Sequence, residues 1–162
     1  MLKSVELIST ATKQTRSRQA AGAPRGSKKN ERNNKESKQQ LELARAYAGA
    51  INNLGALYFW QGKYDKAAPL LKRGLQMRRE LLGEEHADVA NSLGDLGALY
   101  YQQSNFREAQ NLWEKALRIR EKRLGENNLL TARLMSNVGN VYATLGQTAK
   151  AKAILIRAIK IY

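Results

Sequence analysis

The sequence predicts an all-α protein, a solenoid of three antiparallel helix pairs preceded by a disordered basic tail. Three observations carry that expectation. From residue 38 onward apolar residues recur at helical spacing, and nothing alternates with period two over a useful length. A set of residue types repeats at a fixed interval of 42 positions. Ahead of residue 38 the composition turns basic and loses its large apolar side chains. The expected organisation is a tail over 1–37 and a helical array over 38–162, with units at about 44–85, 86–127 and 128–162.

The tail follows from charge and hydropathy. The chain has 162 residues and a formal charge of +14. Residues 1–40 hold ten Lys and Arg against Glu6, Glu31 and Glu36, so half of the excess sits in a quarter of the length. No large apolar side chain stands between Ile8 and Leu41, and such a stretch buries too little surface to offset its ordering entropy. The first ten residues can form an amphipathic turn or two through Leu2, Val5 and Ile8. No apolar stretch is long enough for a secretory signal or a membrane span. The acid-poor Arg/Ser/Ala character is also compatible with an organelle transit peptide. Without cysteine there is no disulfide framework, no thiolate nucleophile and no Cys-ligated zinc; a cytoplasmic location fits.

Helices are expected at about 38–61, 64–82, 87–103, 106–124, 128–145 and 148–162. Ser37-x-x-Gln40 has the form of a capping box at the first helix start. Gly62 and Gly146 can take left-handed turns within pairs, and Gly83 and Gly125 can end the longer helices.

The repeat is the strongest signal. Gly55, Gly97 and Gly139 keep the 42-residue spacing, as do Tyr58, Tyr100 and Tyr142, and Ala67, Ala109 and Ala151. Residues 54–90 aligned on 96–132 share fourteen identities in thirty-seven positions. A period in this range points to stacked helix pairs. In each unit the first helix carries an apolar residue, Gly and, three positions on, Tyr. The second carries Ala, a large residue and a small one: Ala67, Leu71, Gly74; Ala109, Trp113, Ala116; Ala151, Leu155, Ala158. Small residues let helix backbones approach, and the large ones fill the space beside them. One pair cannot bury its apolar face alone, but stacked neighbours can.

These positions resemble the tetratricopeptide pattern over about residues 44–162. The 42-residue unit, with Tyr64-Asp65-Lys66-Ala67 and Leu82-Gly83-Glu84-Glu85-His86, is similar to the longer repeats of kinesin light chains and of many bacterial proteins. Repeat three departs from the pattern: Thr148 stands where repeats one and two have Tyr64 and Phe106. Its second helix stops at Tyr162 with no polar cap. An open flank of that kind is expected to be covered by a partner or a second copy, or to continue into a longer array. Self-association through this uncapped helix is therefore one expectation.

The resemblance implies a right-handed superhelical arc whose concave groove is lined by the first helix of each pair. Its groove-facing positions would be Gly49, Asn52, Asn53, Ala56, Phe59 and Trp60 in the first repeat. The second offers Asn91, Gly94, Asp95, Ala98, Tyr101 and Gln102, and the third Arg133, Ser136, Asn137, Asn140, Ala143 and Thr144. Grooves of this family hold extended or helical peptides, with Asn amides clasping the backbone; Asn53 and Asn137 match those positions and Asp95 replaces the amide between them. The amide suits the task because it both donates and accepts. The bland alternative is a set of solvated polar positions. Phe59 and Trp60 are either contact anchors or packed beneath the start of the first helix. A carboxylate clamp needs several groove cations, and only Arg133 qualifies.

No catalytic constellation and no cofactor motif is present. His86 is the single histidine and falls in an inter-repeat turn, where a helix-start role is expected. Glu84 and Glu85 are expected to favour the following helix electrostatically. The basic runs Lys72-Arg73…Arg78-Arg79 and Arg118…Arg123 are read as solvated faces of the second helices. The leading function is a protein-interaction scaffold for a peptide or protein segment. The alternative, from another class, is nonspecific nucleic-acid or anionic-surface binding through residues 13–38, which lack aromatics for base stacking.

Overall fold

A computed structural model describes residues 28–162, which form six α-helices. The tail expected over 1–37 lies outside the described residues except for its last ten. The alternative binding segment, 13–38, falls mostly outside them as well. The helices are α1 (Lys28–Trp60), α2 (Tyr64–Leu82), α3 (Ala87–Gln102), α4 (Phe106–Leu124), α5 (Leu129–Thr144) and α6 (Thr148–Ile159). Five of these follow the expected spans within three residues at each end.

α1 is the exception, because it begins ten residues ahead of the expected start at 38. Ser37 and Gln40 therefore lie inside a helix and cap nothing. Residues 28–37 contain neither Gly nor Pro, and a helix already nucleated by tertiary packing propagates upstream at little cost. The nucleus is visible: Ala44, Ala48 and Ile51 pack against Met77 and Leu81 at the end of α2, with Leu41 beside them.

Local chemistry sets the other boundaries. Gly62 and Gly146 turn the chain within their pairs at φ 71° and 72°. Ser104 takes the same left-handed conformation, φ 61°, at the matching position of repeat two. Gly83 and Gly125 close α2 and α4, each donating its N–H to a carbonyl four residues back, Arg79 and Glu121. The N–H of Asp88 donates to the His86 Nδ1 at 3.1 Å, so His86 caps α3. Asn128 caps α5 in the same way at 2.9 Å.

Helices pack most extensively within the pairs α1–α2, α3–α4 and α5–α6, then between α2 and α3 and between α4 and α5. The small positions are where the pairs close. A Cβ on Gly97 would stand 2.5 Å from the Trp113 Nε1, and one on Gly139 would stand 2.5 Å from Leu155 side-chain atoms. One continuous core then runs through the pairs, including Leu71, Leu93, Leu99, Met135 and Val138. Each such side chain contributes about 1.5–3 kcal/mol by leaving water.

Polar links also join one pair to the next. Arg78 donates to the Asp88 carbonyl at 3.1 Å and to the Ser92 hydroxyl at 2.8 Å. One repeat on, Arg120 donates to the Leu130 carbonyl at 2.8 Å and to the Asn91 amide oxygen at 2.7 Å. These two arginines correct the reading of the basic runs as solvated faces. Each reaches the first helix of the next pair, and Arg120 also bonds Asn91 on α3 within its own pair. Glu84 and Glu85 lie just ahead of α3 and also pair with Arg79 (3.0 Å) and Lys122 (2.6 Å). The Lys122 ammonium, donating to the Glu85 carboxylate, holds its pKa below the ordinary value. Tyr142 donates to Glu114 at 2.9 Å; burial and that carboxylate push its phenol up to about 12.

Candidate partner-binding groove

The first helices α1, α3 and α5 stand side by side and line a cavity of about 690 Å³. Its floor comes partly from the second helices, through Leu71, Trp113 and Arg120. Trp113 is held there by its indole N–H, which donates to the Gly94 carbonyl at 3.0 Å. The cavity is open, so its lining combines buried floor with exposed rim.

The two ends differ in chemistry. At the α1 end Phe59 meets Trp60 edge-on at 5.3 Å between ring centroids; in the middle pair Tyr101 packs against Phe106 and Trp113 at 5.2 and 5.4 Å, with its hydroxyl 3.1 Å from that of Thr144 on α5. Trp60 is 81% exposed, so its ring is available for contact and does not pack beneath the start of α1. At the α5 end stand Arg133, Asn137 and Asn140. Among the described residues the Asn137 and Asn140 amides have no protein hydrogen-bond partner.

Of the residues expected in the groove, Phe59, Trp60, Asn91, Asp95, Gln102, Arg133, Asn137 and Asn140 line the cavity. Ala56, Gly94, Ala98 and Tyr101 join them, whereas Gly49, Ser136, Ala143 and Thr144 do not. Asn53 is exposed but outside the lining. Asn52 is 3% exposed and faces the helix interface instead, its Cβ 3.2 Å from where a Gly74 Cβ would be. Its amide is engaged at both atoms: the oxygen accepts from the Ser92 hydroxyl at 2.8 Å and the nitrogen donates to the Asp95 carboxylate at 2.8 Å. The missing side chain of Gly74 is what admits it.

Arg120 was missed as a lining residue. The 42-residue spacing from Arg78 marked it as a repeat position, since random surface charge keeps no register. Its buried guanidinium leaves Nε without a partner. Burial lowers its pKa, and the neighbouring Arg133 adds to that, while Asp95 opposes it. Asp95 is half-buried; desolvation raises its pKa, against the Asn52 hydrogen bond and the charges of Arg78, Arg120 and Arg133. The lining thus carries two guanidinium groups and one carboxylate, with the excess positive charge toward α5. Among the described residues no three His, Cys, Asp or Glu side chains gather at metal-binding distance.

Stacked helix pairs around a groove define a helical-repeat scaffold. The model of the tetratricopeptide repeat matches residues 42–122 and 100–162, and the chain belongs to that family. Such repeats serve protein–protein interaction. Among solved structures, BtubC (BKLC) from P. vanneervenii superposes with a TM-score of 0.67 at 23% identity, over 78% of this chain and 55% of that one. The chain therefore spans about half the length of that relative. The N-terminal domain of stress-induced protein-1 (STI-1) from C. elegans gives a TM-score of 0.60 at 18% identity, over 74% of this chain and 87% of that one. At these identities the likeness is one of fold. No curated protein matches the sequence. No described helix is long and apolar enough to cross a membrane.

Proposed function

We propose that the chain holds an extended or helical segment of a partner protein in the groove between α1, α3 and α5. The observation that carries this reading is the pair of unengaged amides, Asn137 and Asn140, facing the same cavity as the exposed ring of Trp60. An amide can donate to a backbone carbonyl and accept from a backbone N–H, which grips a chain regardless of its side chains. The polarity of the groove gives the segment a direction. Its apolar or aromatic side chain lies toward Phe59 and Trp60, and its acidic or carbonyl-rich part lies toward Arg133.

The test is selection of binders from a displayed random-peptide library, followed by affinity measurements on alanine variants. Asn137→Ala and Asn140→Ala are each expected to weaken a selected peptide by about five- to tenfold, the loss of roughly one net hydrogen bond. Trp60→Ala is expected to cost more, because aromatic anchors dominate contact energy. Asn53→Ala lies outside the cavity and serves as the control. Unchanged affinity in all three groove variants would exclude the groove as the binding site.

A further inference from the structure

Arg120 is a buried cation that no anion meets among the described residues. Only 9% of it is exposed, and its guanidinium donates to two neutral acceptors, the Leu130 carbonyl and the Asn91 amide oxygen. Its Nε has no partner. A charge taken out of water is ordinarily paired, because something must replace the lost solvation. The carboxylate that acts on Arg120, that of Asp95, is engaged by the Asn52 amide at 2.8 Å and bonds none of the arginines. Arg133 stands close enough to oppose the charge of Arg120 and lines the same cavity. Among the described residues it makes no hydrogen bond or ion pair.

Asp95 feels a third guanidinium, that of Arg78, whose own bonds go to the Asp88 carbonyl and the Ser92 hydroxyl. The Asp88 carboxylate lies by His86, 3.6 Å from its Nδ1. Three guanidinium groups thus share one carboxylate, and three cations less one anion leave the cluster with two positive charges. That surplus sits where the groove offers free donors. Arg133 presents its whole guanidinium fork, and the unengaged amide of Asn137 lies one helical turn further along the same face of α5. Arg120 lies beneath them in the floor, where the low dielectric strengthens its field. A carboxylate would bring one charge and two acceptor oxygens to this place. A phosphoryl monoester brings nearly two charges and three acceptor oxygens, which matches the surplus more closely.

We infer, on the footing that the groove binds a partner segment, that it reads a phosphorylated residue of that segment, with the phosphoryl group held by Arg133 and Asn137 above the buried Arg120. Phosphorylation of the partner then switches binding on, since the unmodified hydroxyl leaves both charges of the cluster uncompensated.

Fluorescence anisotropy with the full chain tests this. The probes are labelled peptides selected on the groove, each remade with serine, phosphoserine or glutamate at every position in turn. At one position phosphoserine is expected to bind at least about tenfold more tightly than serine, and several-fold more tightly than glutamate. The gain over serine is expected to shrink as the pH falls from about 7.5 to about 5.5, because the second phosphate proton binds with a pKa near 6. The arginines stay charged over that range, and protonation of Asp95 would strengthen anion binding instead. Arg133→Gln is expected to abolish the gain; the position is exposed and bonds nothing within the described fold, so the variant stays folded. Phosphoserine no better than glutamate at any position would mean a carboxylate subsite, and a gain that survives Arg133→Gln would put the phosphate elsewhere. Either result overturns the inference. Peptides weakened by Trp60→Ala but indifferent to phosphoserine would keep the groove and overturn the phosphate subsite alone, whereas peptides indifferent to both would remove groove and subsite together.

Discussion

Asp95 shows how a single residue can serve the fold and oppose it at once. It terminates a hydrogen-bonded chain running from Arg78 through Ser92 and Asn52, which couples α2, α3 and α1. Yet desolvation raises its pKa above the ordinary 3.8, and the surrounding arginines only partly offset this. A carboxyl whose pKa is higher in the folded than in the unfolded chain binds its proton more tightly when folded. Its contribution to stability is thus fully present below the ordinary value and is lost as pH rises through the raised one. Asp95→Asn can keep the bond from Asn52, because its amide oxygen still accepts. The variant is expected to be more stable than wild type at neutral pH, with the advantage vanishing as the pH falls to the ordinary carboxylate value. Urea titrations at those two pH values decide it; a less stable variant at neutral pH would mean that the arginines outweigh the desolvation.

At the scale of elements, the closeness of the helices within a pair depends on what their Gly positions exclude. Gly94 and Gly97 lie one turn apart on α3, and the contrast between them isolates the effect. Nothing lies within 4 Å of a Cβ built at Gly94, while one at Gly97 would stand 2.5 Å from the Trp113 Nε1 and 2.6 Å from its Cδ1. The indole cannot simply swing away, because it is 4% exposed and bonded to the Gly94 carbonyl. Gly97→Ala is expected to destabilise by about 1–3 kcal/mol through overpacking. Gly94→Ala is expected to stabilise by about 0.5–1 kcal/mol, the ordinary gain of Ala over Gly in a helix. Thermal melts of the two variants should move in opposite directions. Sequence alone identified Gly97 as a repeat position; its distance to Trp113 emerged only on folding.

For the whole molecule, the array and the basic N-terminal residues are expected to be separable parts. Every buried contact of the described core comes from residue 44 onward, and α1 is already packed against α2 at Leu41 and Ala44. Deletion of residues 1–27 is therefore expected to leave the thermal midpoint of the array and its affinity for groove-selected peptides unchanged. The same deletion is expected to weaken salt-sensitive retention on a polyanion column, since it removes five of the ten Lys and Arg in the first forty residues together with Glu6. Loss of peptide affinity would place the partner contact in the basic segment.

The six helices and their pairing were legible in the sequence because a period of 42 residues survives any uncertainty about individual side chains. Local turn chemistry added the boundaries at Gly62, Gly83, Gly125 and Gly146, where the positive φ suits glycine. The resemblance to the tetratricopeptide pattern, not the period itself, implied most of the cavity lining, because in that family neighbouring first helices present equivalent positions to one side. What it could not determine was which way a borderline position turns. Asn52 and Asn53 are adjacent polar residues on one helix; Gly74 and Ser92 decided that the first is buried and the second exposed, and both lie elsewhere in the chain. Likewise Arg78 and Arg120 read as surface charge until the next helix pair placed a carbonyl within reach of each. A repeat pattern specifies which helices must meet, since burial is proportional to apolar area and indifferent to direction. Hydrogen bonds require donor and acceptor from separate helices at a particular distance and angle, so the polar links and the shape of the groove were set only by the tertiary structure.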